Sequence, residues 1–163
     1  MKRARRLLRR AAPCLLIFAM LVPTLTAQSI WWDEGISMHL AASSWLDILR
    51  NRAVNIHPPL YFLILSVWTW LVGHTPFAAR YLSALAATLL PAAVLRLLGR
   101  RLGARTGRAA ALMVALAPPF VIYGQEVRAY ALLPLLIIVL LGYAWPVGAP
   151  SAVASSEEGA SNE

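Results

Sequence analysis

Acidic residues are scarce in this chain. Seven of its 163 residues are Asp or Glu, against fifteen Lys or Arg, and only four of the seven precede position 150. Charged residues make up 13% of the sequence and hydrophobic residues 60%. A water-soluble domain of this length needs more charge to cover its outside, whereas apolar blocks separated by polar islands are typical of multi-span membrane proteins. The composition therefore favours an integral membrane protein.

Cysteine is nearly absent as well. The single Cys14 lies inside an apolar segment, which excludes a disulfide framework and a metal–thiolate site. A net charge of +8 would suit a nucleic-acid partner, but the arginines flank apolar runs and no nucleic-acid-binding module is present. We therefore assign the basic residues to membrane orientation and predict no nucleic-acid partner.

The first apolar run covers residues 11–30 and follows MKRARRLLRR, which holds six basic residues and no acid. About 20 apolar residues span a bilayer, and basic flanks stay in the cytoplasm. The run therefore predicts a span with a cytoplasmic N-terminus, followed by a tryptophan pair as interfacial anchor. A cleaved signal peptide is the alternative, although Leu25 suits the minus-three position poorly. Both interpretations place Asp33 and Glu34 outside the cytoplasm.

Three later apolar runs continue the membrane domain. Runs 78–98 and 108–123 are separated by a region rich in arginine and without acid, which the positive-inside rule places in the cytoplasm. The run 129–145 then returns inward and is followed by a polar tail, 146–163, that we expect to be disordered. The arginines between and around these runs are Arg96, Arg100, Arg101, Arg105 and Arg108.

The apolar block 58–73 does not fit this count. A fifth span there would move the arginine-rich region outside, and the block is short, aromatic and begins with two prolines. We interpret it as a helix at the outer interface. Before it, Ser44 and Asp47 have the S-x-x-D spacing of a capping box, which predicts a short amphipathic surface helix with Trp45, Ile48 and Leu49 on one face.

The predicted fold is therefore an all-α integral membrane protein with about four transmembrane helices and two juxtamembrane helices in its first outer loop. Residues 1–145 form the membrane domain and 146–163 the tail. This topology predicts a protein of the plasma (inner) membrane, with a cytoplasmic N-terminus and an active face on the extracytoplasmic side.

Three polar islands then share the outer face: the Asp33–Glu34 pair, His57 with its following prolines, and residues 125–128. A charge near lipid is costly unless it is paired, so such residues indicate function by default. Asp33 could deprotonate an acceptor hydroxyl, and Arg128 could hold an anionic leaving group. The alternative is an interfacial acidic pair satisfied by water and by Arg128 or Arg80.

His57 allows two interpretations. The prolines that follow hold its backbone extended, which would let the imidazole bond a phosphate or orient Asp33; the alternative is a plain turn residue. No zinc spacing is present. Oxygen-ligand chemistry would allow a divalent cation between Asp33, Glu34 and Glu126, but the sequence does not require one.

The motifs carry a resemblance to a known family. After a basic N-terminus and one span come, in order, WWDEG, HPPLYF, FAARYLSAL, LGRRLGARTGRAAAL and YGQEVRAYAL. This set resembles the N-terminal part of membrane glycosyltransferases of the class C fold, in the protein O-mannosyltransferase and aminoarabinose-transferase-like group (glycosyltransferase family 39 and relatives). The resemblance covers about residues 1–145 and implies a partial class C glycosyltransferase module.

The resemblance implies transfer of a sugar from a polyprenyl-phosphate carrier to a hydroxyl on a protein, lipid or glycan, outside the cytoplasm. It carries the family's acidic motif onto Asp33 and Glu34 as catalytic residues, with Asp33 as the base. The remaining residues it implies are His57, Arg128 and Arg80 for the donor phosphate, and Gln125, Glu126 and Tyr130 in support.

Length is the departure from this family. Its members usually have many more spans and a C-terminal region that completes the sugar and acceptor sites, so we expect a truncated N-terminal fragment that further spans would complete. The alternative is a non-catalytic membrane protein or assembly partner that keeps the fold. A transporter has little support, because the charges in the predicted spans, Arg80, Arg96 and Arg108, all lie near the ends of the spans and none marks a path through the middle of the membrane.

Overall fold

The computed structural model describes residues 2–53 and 58–144, with side chains from residue 7 onward. Within these ranges the regular elements are all helices and no strand occurs, which confirms the all-α class for the described part of the chain. A short 3₁₀ turn, Val22–Thr24, follows the first helix. The helices are α1 (Lys2–Leu21), α2 (Trp32–Ala41), α3 (Trp45–Ala53), α4 (Pro59–Val72), α5 (Pro76–Arg101), α6 (Ala104–Leu116), α7 (Pro118–Tyr123) and α8 (Leu132–Ala144).

Two stretches in the described ranges, Leu7–Thr24 and Pro76–Arg101, are long and apolar enough to cross a bilayer. The predicted span 108–123 is instead divided into α6 and α7, because a residue before proline avoids the helical conformation and Ala117 precedes Pro118. Helix α8 begins three residues later than predicted and has 13 residues, fewer than the roughly 20 that cross a bilayer. The four-span count stays a prediction.

The region between α1 and α5, which we predicted to be the first outer loop, contains three helices rather than the two we expected there. The additional one is α2, whose first turn holds Asp33 and Glu34. Negative charge is favourable at a helix N-terminus, and the hydroxyl of Ser37 donates to the carbonyl of Asp33 at 2.9 Å. The sequence of α2 has no clear apolar stripe, which is why periodicity did not reveal it.

The predicted cap of α3 at Ser44 is confirmed, with one of the two bonds of a capping box. The amide of Asp47 donates to the Ser44 hydroxyl at 3.2 Å, and that hydroxyl donates to the Asp47 carboxylate at 2.6 Å. On the helix that follows, Ile48 is buried, whereas Trp45 is exposed. The predicted apolar face of α3 is thus only partly covered, by its packing on α4.

Helix α5 is the centre of the fold and packs against α1, α4, α6 and α8. Small residues on its surface allow the close approach of helices that membrane proteins use. Around them lies a core cluster formed by Ile17, Leu21, Leu25, Ala84, Ala86, Ala87, Ala115 and Ala131. The aromatic block 58–73 forms α4 and joins α2 and α3 to α5.

The turn between α5 and α6 depends on two glycines. Gly103 has φ +88°, a backbone conformation that L side chains rarely adopt. Gly107 lies directly against the backbone of Gly99, so a Cβ at position 107 would fall 2.6 Å from the Gly99 nitrogen. The two helices therefore meet with no room for a side chain at this point.

Substitution of Gly107 by alanine should destabilise the protein. Its methyl group would force the two backbones apart, and overpacking of this kind typically costs about 1–3 kcal/mol. We expect a lower midpoint of thermal unfolding, measured by circular dichroism in detergent micelles.

Gly99→Ala is the matched control. It gives the same gain in helix propensity, about 1 kcal/mol, but a Cβ at position 99 meets no atom within 4 Å. Equal midpoints for the two variants would show that the close backbone approach is not a feature of the folded protein.

Candidate functional site

Arg80 is 3% exposed, and its whole guanidinium is bonded within the protein. Its Nε and Nη2 donate to the two carboxylate oxygens of Glu34, at 2.8 and 2.6 Å. Further N–H groups donate to the backbone carbonyls of Leu25 and Gln28, at 2.7 and 2.8 Å, and of Ser29, at 3.1 Å. Arginine has five N–H donors, and these five bonds occupy them all. No donor is left for a phosphate.

Glu34 is completely buried and joins three parts of the chain. In addition to its paired bonds with Arg80 of α5, it accepts a hydrogen bond from the backbone N–H of Val127 at 3.0 Å. Burial by itself raises the pKa of Glu34, but the bonds from Arg80 and Val127 outweigh it and hold that pKa below its ordinary value. The buried carboxylate is therefore a charged connector between α2, α5 and the segment 124–131.

Arg128 lies beside this connector and pairs with Asp33, to whose carboxylate its Nη2 donates. The pair is partly open to solvent, with the Asp33 side chain 39% exposed and that of Arg128 16%. The guanidinium carbon lies 5.1 Å from the centre of the Trp31 ring and 5.7 Å from that of Tyr130, both within cation–π range. Its Nε is buried and makes no hydrogen bond to the described residues.

The neighbouring predicted residues have supporting positions. Gln125 donates to the carbonyl of Val121 at 3.0 Å, which extends the end of α7. Glu126 is half-buried, and burial raises its pKa although the positive charge of Arg128 opposes the rise. Tyr130 also contacts Tyr123, with ring centres 4.7 Å apart.

Gly124 fixes where the segment 124–131 begins. A Cβ at this position would lie 2.6 Å from the carbonyl oxygen of Phe120, 2.9 Å from a side-chain methyl of Leu21 and 3.1 Å from the Cβ of Ala87. The segment is therefore packed against both α1 and α5 immediately before it reaches Val127 and Arg128.

The structure brings Asp33, Glu34, Arg80, Glu126 and Arg128 into one charged site. His57 lies outside the described residues. Within residues 2–53 and 58–144, no group of three His, Cys, Asp or Glu side chains could hold a metal ion. Sequence reasoning missed the Val127 amide and the three carbonyls on Arg80, because backbone groups leave no motif. It predicted Trp31 as an interfacial anchor and did not predict the contact of its ring with the Arg128 guanidinium.

The two ion pairs should differ sharply in their effect on stability. Glu34→Gln leaves the Arg80 charge buried without its counter-ion, and breaking a buried pair in this way typically costs about 3–5 kcal/mol. Asp33→Asn, in the partly exposed pair, should cost at most about 1 kcal/mol. Thermal unfolding of both variants in detergent at neutral pH measures the difference.

Acid titration is the accompanying check on Glu34. A carboxylate whose pKa is lower in the folded than in the unfolded state stabilises the fold fully above its ordinary value, 4.5, and loses that effect as the pH falls through the folded value. The stability gap between wild type and Glu34→Gln should therefore narrow below about pH 4.5. A gap that is constant from neutral to acidic pH would contradict a charged Glu34.

Comparison with known families adds to this geometry. The family model described as dolichyl-phosphate-mannose-protein mannosyltransferase matches residues 56–146, more than half of the chain. The match includes Arg80, Glu126 and Arg128 and begins after Asp33 and Glu34. No curated protein and no solved structure matches the chain. With apolar helices around a charged site and this match over its larger part, the chain belongs to the dolichyl-phosphate-mannose-protein mannosyltransferase family.

Proposed function

We propose that this protein is a membrane glycosyltransferase that moves a sugar from a polyprenyl-phosphate carrier to a hydroxyl acceptor, on the extracytoplasmic face. The family membership supports the reaction class and a lipid-phosphate-sugar donor with a protein acceptor. The observation that carries the proposal for this chain is the partly open Asp33–Arg128 pair, held in place by the buried Glu34–Arg80 pair.

Arg128 is the residue we assign to the donor phosphate. Its Nε has no bond to the described residues, and guanidinium groups bind phosphate oxygens through paired N–H donors. The rings of Trp31 and Tyr130 limit where the guanidinium can point. Arg80 has no N–H left for a ligand, so we reassign Arg80 and Glu34 from ligand contact to the positioning of α2 and the segment 124–131.

Asp33 is the residue we assign as the base. In the unliganded pair its carboxylate is bonded to Arg128. A donor phosphate would compete for that guanidinium, so binding of the donor would release Asp33 toward the acceptor. The base would then become available only when the sugar is in place, which limits wasteful hydrolysis.

The reaction balances with these groups. The bond between the anomeric carbon and the phosphate oxygen breaks, and a bond between that carbon and the acceptor oxygen forms. The acceptor's proton goes to Asp33. Both bonding electrons stay on the polyprenyl phosphate, whose added negative charge Arg128 stabilises.

Variants of the two residues should fail at different steps. Asp33→Asn should lower kcat by about 10²–10⁴, the usual contribution of a general base, with a smaller change in KM for the donor. Arg128→Gln should also raise the donor KM, because it removes a phosphate contact. Radiolabelled sugar transfer from a polyprenyl-phosphate donor, in membranes that contain the chain, measures both.

Asp47→Asn and Arg50→Gln are the matched controls, because both residues are exposed on α3 and Asp47 only caps that helix. Unchanged turnover in Asp33→Asn would remove Asp33 as the base. No transfer by the wild-type chain would favour an assembly role instead.

The proposed orientation places the end of α5 that carries Arg80 outside the cytoplasm. In a Cys14→Ala background, a cysteine at exposed His74 should react with a membrane-impermeant maleimide in intact cells. A cysteine at exposed Thr106, beyond the other end of α5, should react only after the membrane is permeabilised. Labelling of both positions in intact cells, or of neither, would contradict a crossing by α5.

A further inference from the structure

A second charged region lies at the opposite end of the molecule from the Glu34–Arg80 pair. The ends of α1, α5 and α6 meet there around a cleft of about 1200 Å³. Five arginines line it, and we call it the basic cleft: Arg9 and Arg10 of α1, Arg96 and Arg100 of α5, and Arg108 of α6.

The distance between the two regions follows from α5. Arg80 and Arg96 are sixteen residues apart on this helix, and a rise of 1.5 Å per residue separates them by about 24 Å. Arg100 lies about 30 Å from Arg80 by the same measure, which is close to the thickness of the hydrocarbon core. The basic cleft and the site of the proposed reaction therefore lie near opposite surfaces of one bilayer.

Within the part of the chain that the structure describes, the positive charge of the cleft has no counter-charge. Its arginines form no ion pair with any acidic side chain among residues 7–53 and 58–144. The acids of that part of the chain lie elsewhere, on α2, on α3 and beside Arg128. Arg108 donates its Nε to the carbonyl of Ala104 at 3.0 Å, a bond that fixes the side chain and does not neutralise it. Guanidiniums that line one cavity repel one another unless an anion enters.

The shape of the cleft is set by the backbone and not by flexible side chains alone. The close contact of Gly99 with Gly107 holds α5 and α6 together at this end. That contact lies within one turn of Arg96, Arg100 and Arg108. The backbone of these three arginines is therefore held in place by the packed α5–α6 hairpin. An anion would find much of its site already formed.

The lining also decides what kind of anion fits. Part of the wall is apolar, and guanidiniums sit beside it. A phosphate in water would gain from the arginines but not from the apolar wall, whereas a phospholipid offers both a phosphate and acyl chains. Basic pockets between transmembrane helices on the cytoplasmic side bind anionic head groups. The apolar lining is Leu7, Ala11, Cys14, Ala92, Leu95 and Ala104.

We propose that the basic cleft is a binding site for an anionic membrane phospholipid, with its head-group phosphate among the five arginines and its acyl chains along the apolar wall. The site is separate from that of the proposed sugar transfer and does not depend on it.

The test is retention of lipid by the purified full chain. The protein is taken up in mixed micelles that contain phosphatidylglycerol and phosphatidylcholine with identical acyl chains, and bound lipids are counted by native mass spectrometry. Wild type should retain phosphatidylglycerol in preference to phosphatidylcholine. Arg96→Gln and Arg100→Gln should each weaken that retention roughly fivefold, as expected for one basic residue near an anionic lipid.

Arg105→Gln is the matched control. Arg105 is exposed at the same end of the molecule, carries the same charge and does not line the cleft. It should change retention by less than about twofold; a loss as large as that of Arg100→Gln would replace the proposed site with general surface attraction and overturn the proposal.

Two measurements on wild type decide the question even if a variant fails to fold. Equal retention of the two lipids would overturn an anion site. Displacement of bound phosphatidylglycerol by millimolar inorganic phosphate would show that a soluble anion is the occupant, and would overturn the assignment to a lipid. Retention of phosphatidylglycerol in excess phosphate is the result we expect.

Discussion

The paired hydrogen bonds between Glu34 and Arg80 are the interaction on which the rest of the site depends. The two residues are 46 positions apart, and each bond is made in a buried environment where an unpaired charge would be very costly. The arginine also binds the carbonyls that end the first helix region, and the glutamate binds the amide of Val127. One ion pair thus ties together the exit of α1, the start of α2, the start of α5 and the segment that carries Arg128.

The buried Glu34–Arg80 pair positions the Asp33–Arg128 pair without bonding to the side chains of that second pair. Asp33 and Arg128 are neighbours of Glu34 and Val127 along the chain, so the buried connection sets their positions without using their side chains. They remain partly exposed and in contact with each other, with aromatic rings beside the guanidinium. Two adjacent acids therefore have different environments: Glu34 accepts hydrogen bonds inside the protein, and Asp33 is partly exposed to solvent. The alternative interpretation of an acidic pair satisfied by Arg80 and Arg128 describes the resting contacts accurately.

Features that depend on local sequence were easier to predict than contacts between residues far apart in the chain. The cap at Ser44 is local, and its bond from the Asp47 amide was predicted correctly. The long apolar α5 was recognised from composition, whereas the division of the span 108–123 at Ala117 was missed although two prolines mark it. Because acidic residues are scarce, Asp33, Glu34 and Arg128 could be selected from the sequence as candidate site residues. The partner of Arg80 was not derivable, because nothing in a single sequence specifies a contact between residues so far apart or the backbone carbonyls that complete it.

Gly124 limits which substitutions this protein can accept at that position. The residue has no side chain to offer a substrate, yet the space around it accepts nothing larger than a hydrogen atom. Any bulkier residue would push the following segment outward from Leu21 and Ala87, and the guanidinium four positions later would move with it. The position of Arg128 is thus set inside the protein, by the clearance between Gly124, the Phe120 carbonyl and the side chains of Leu21 and Ala87.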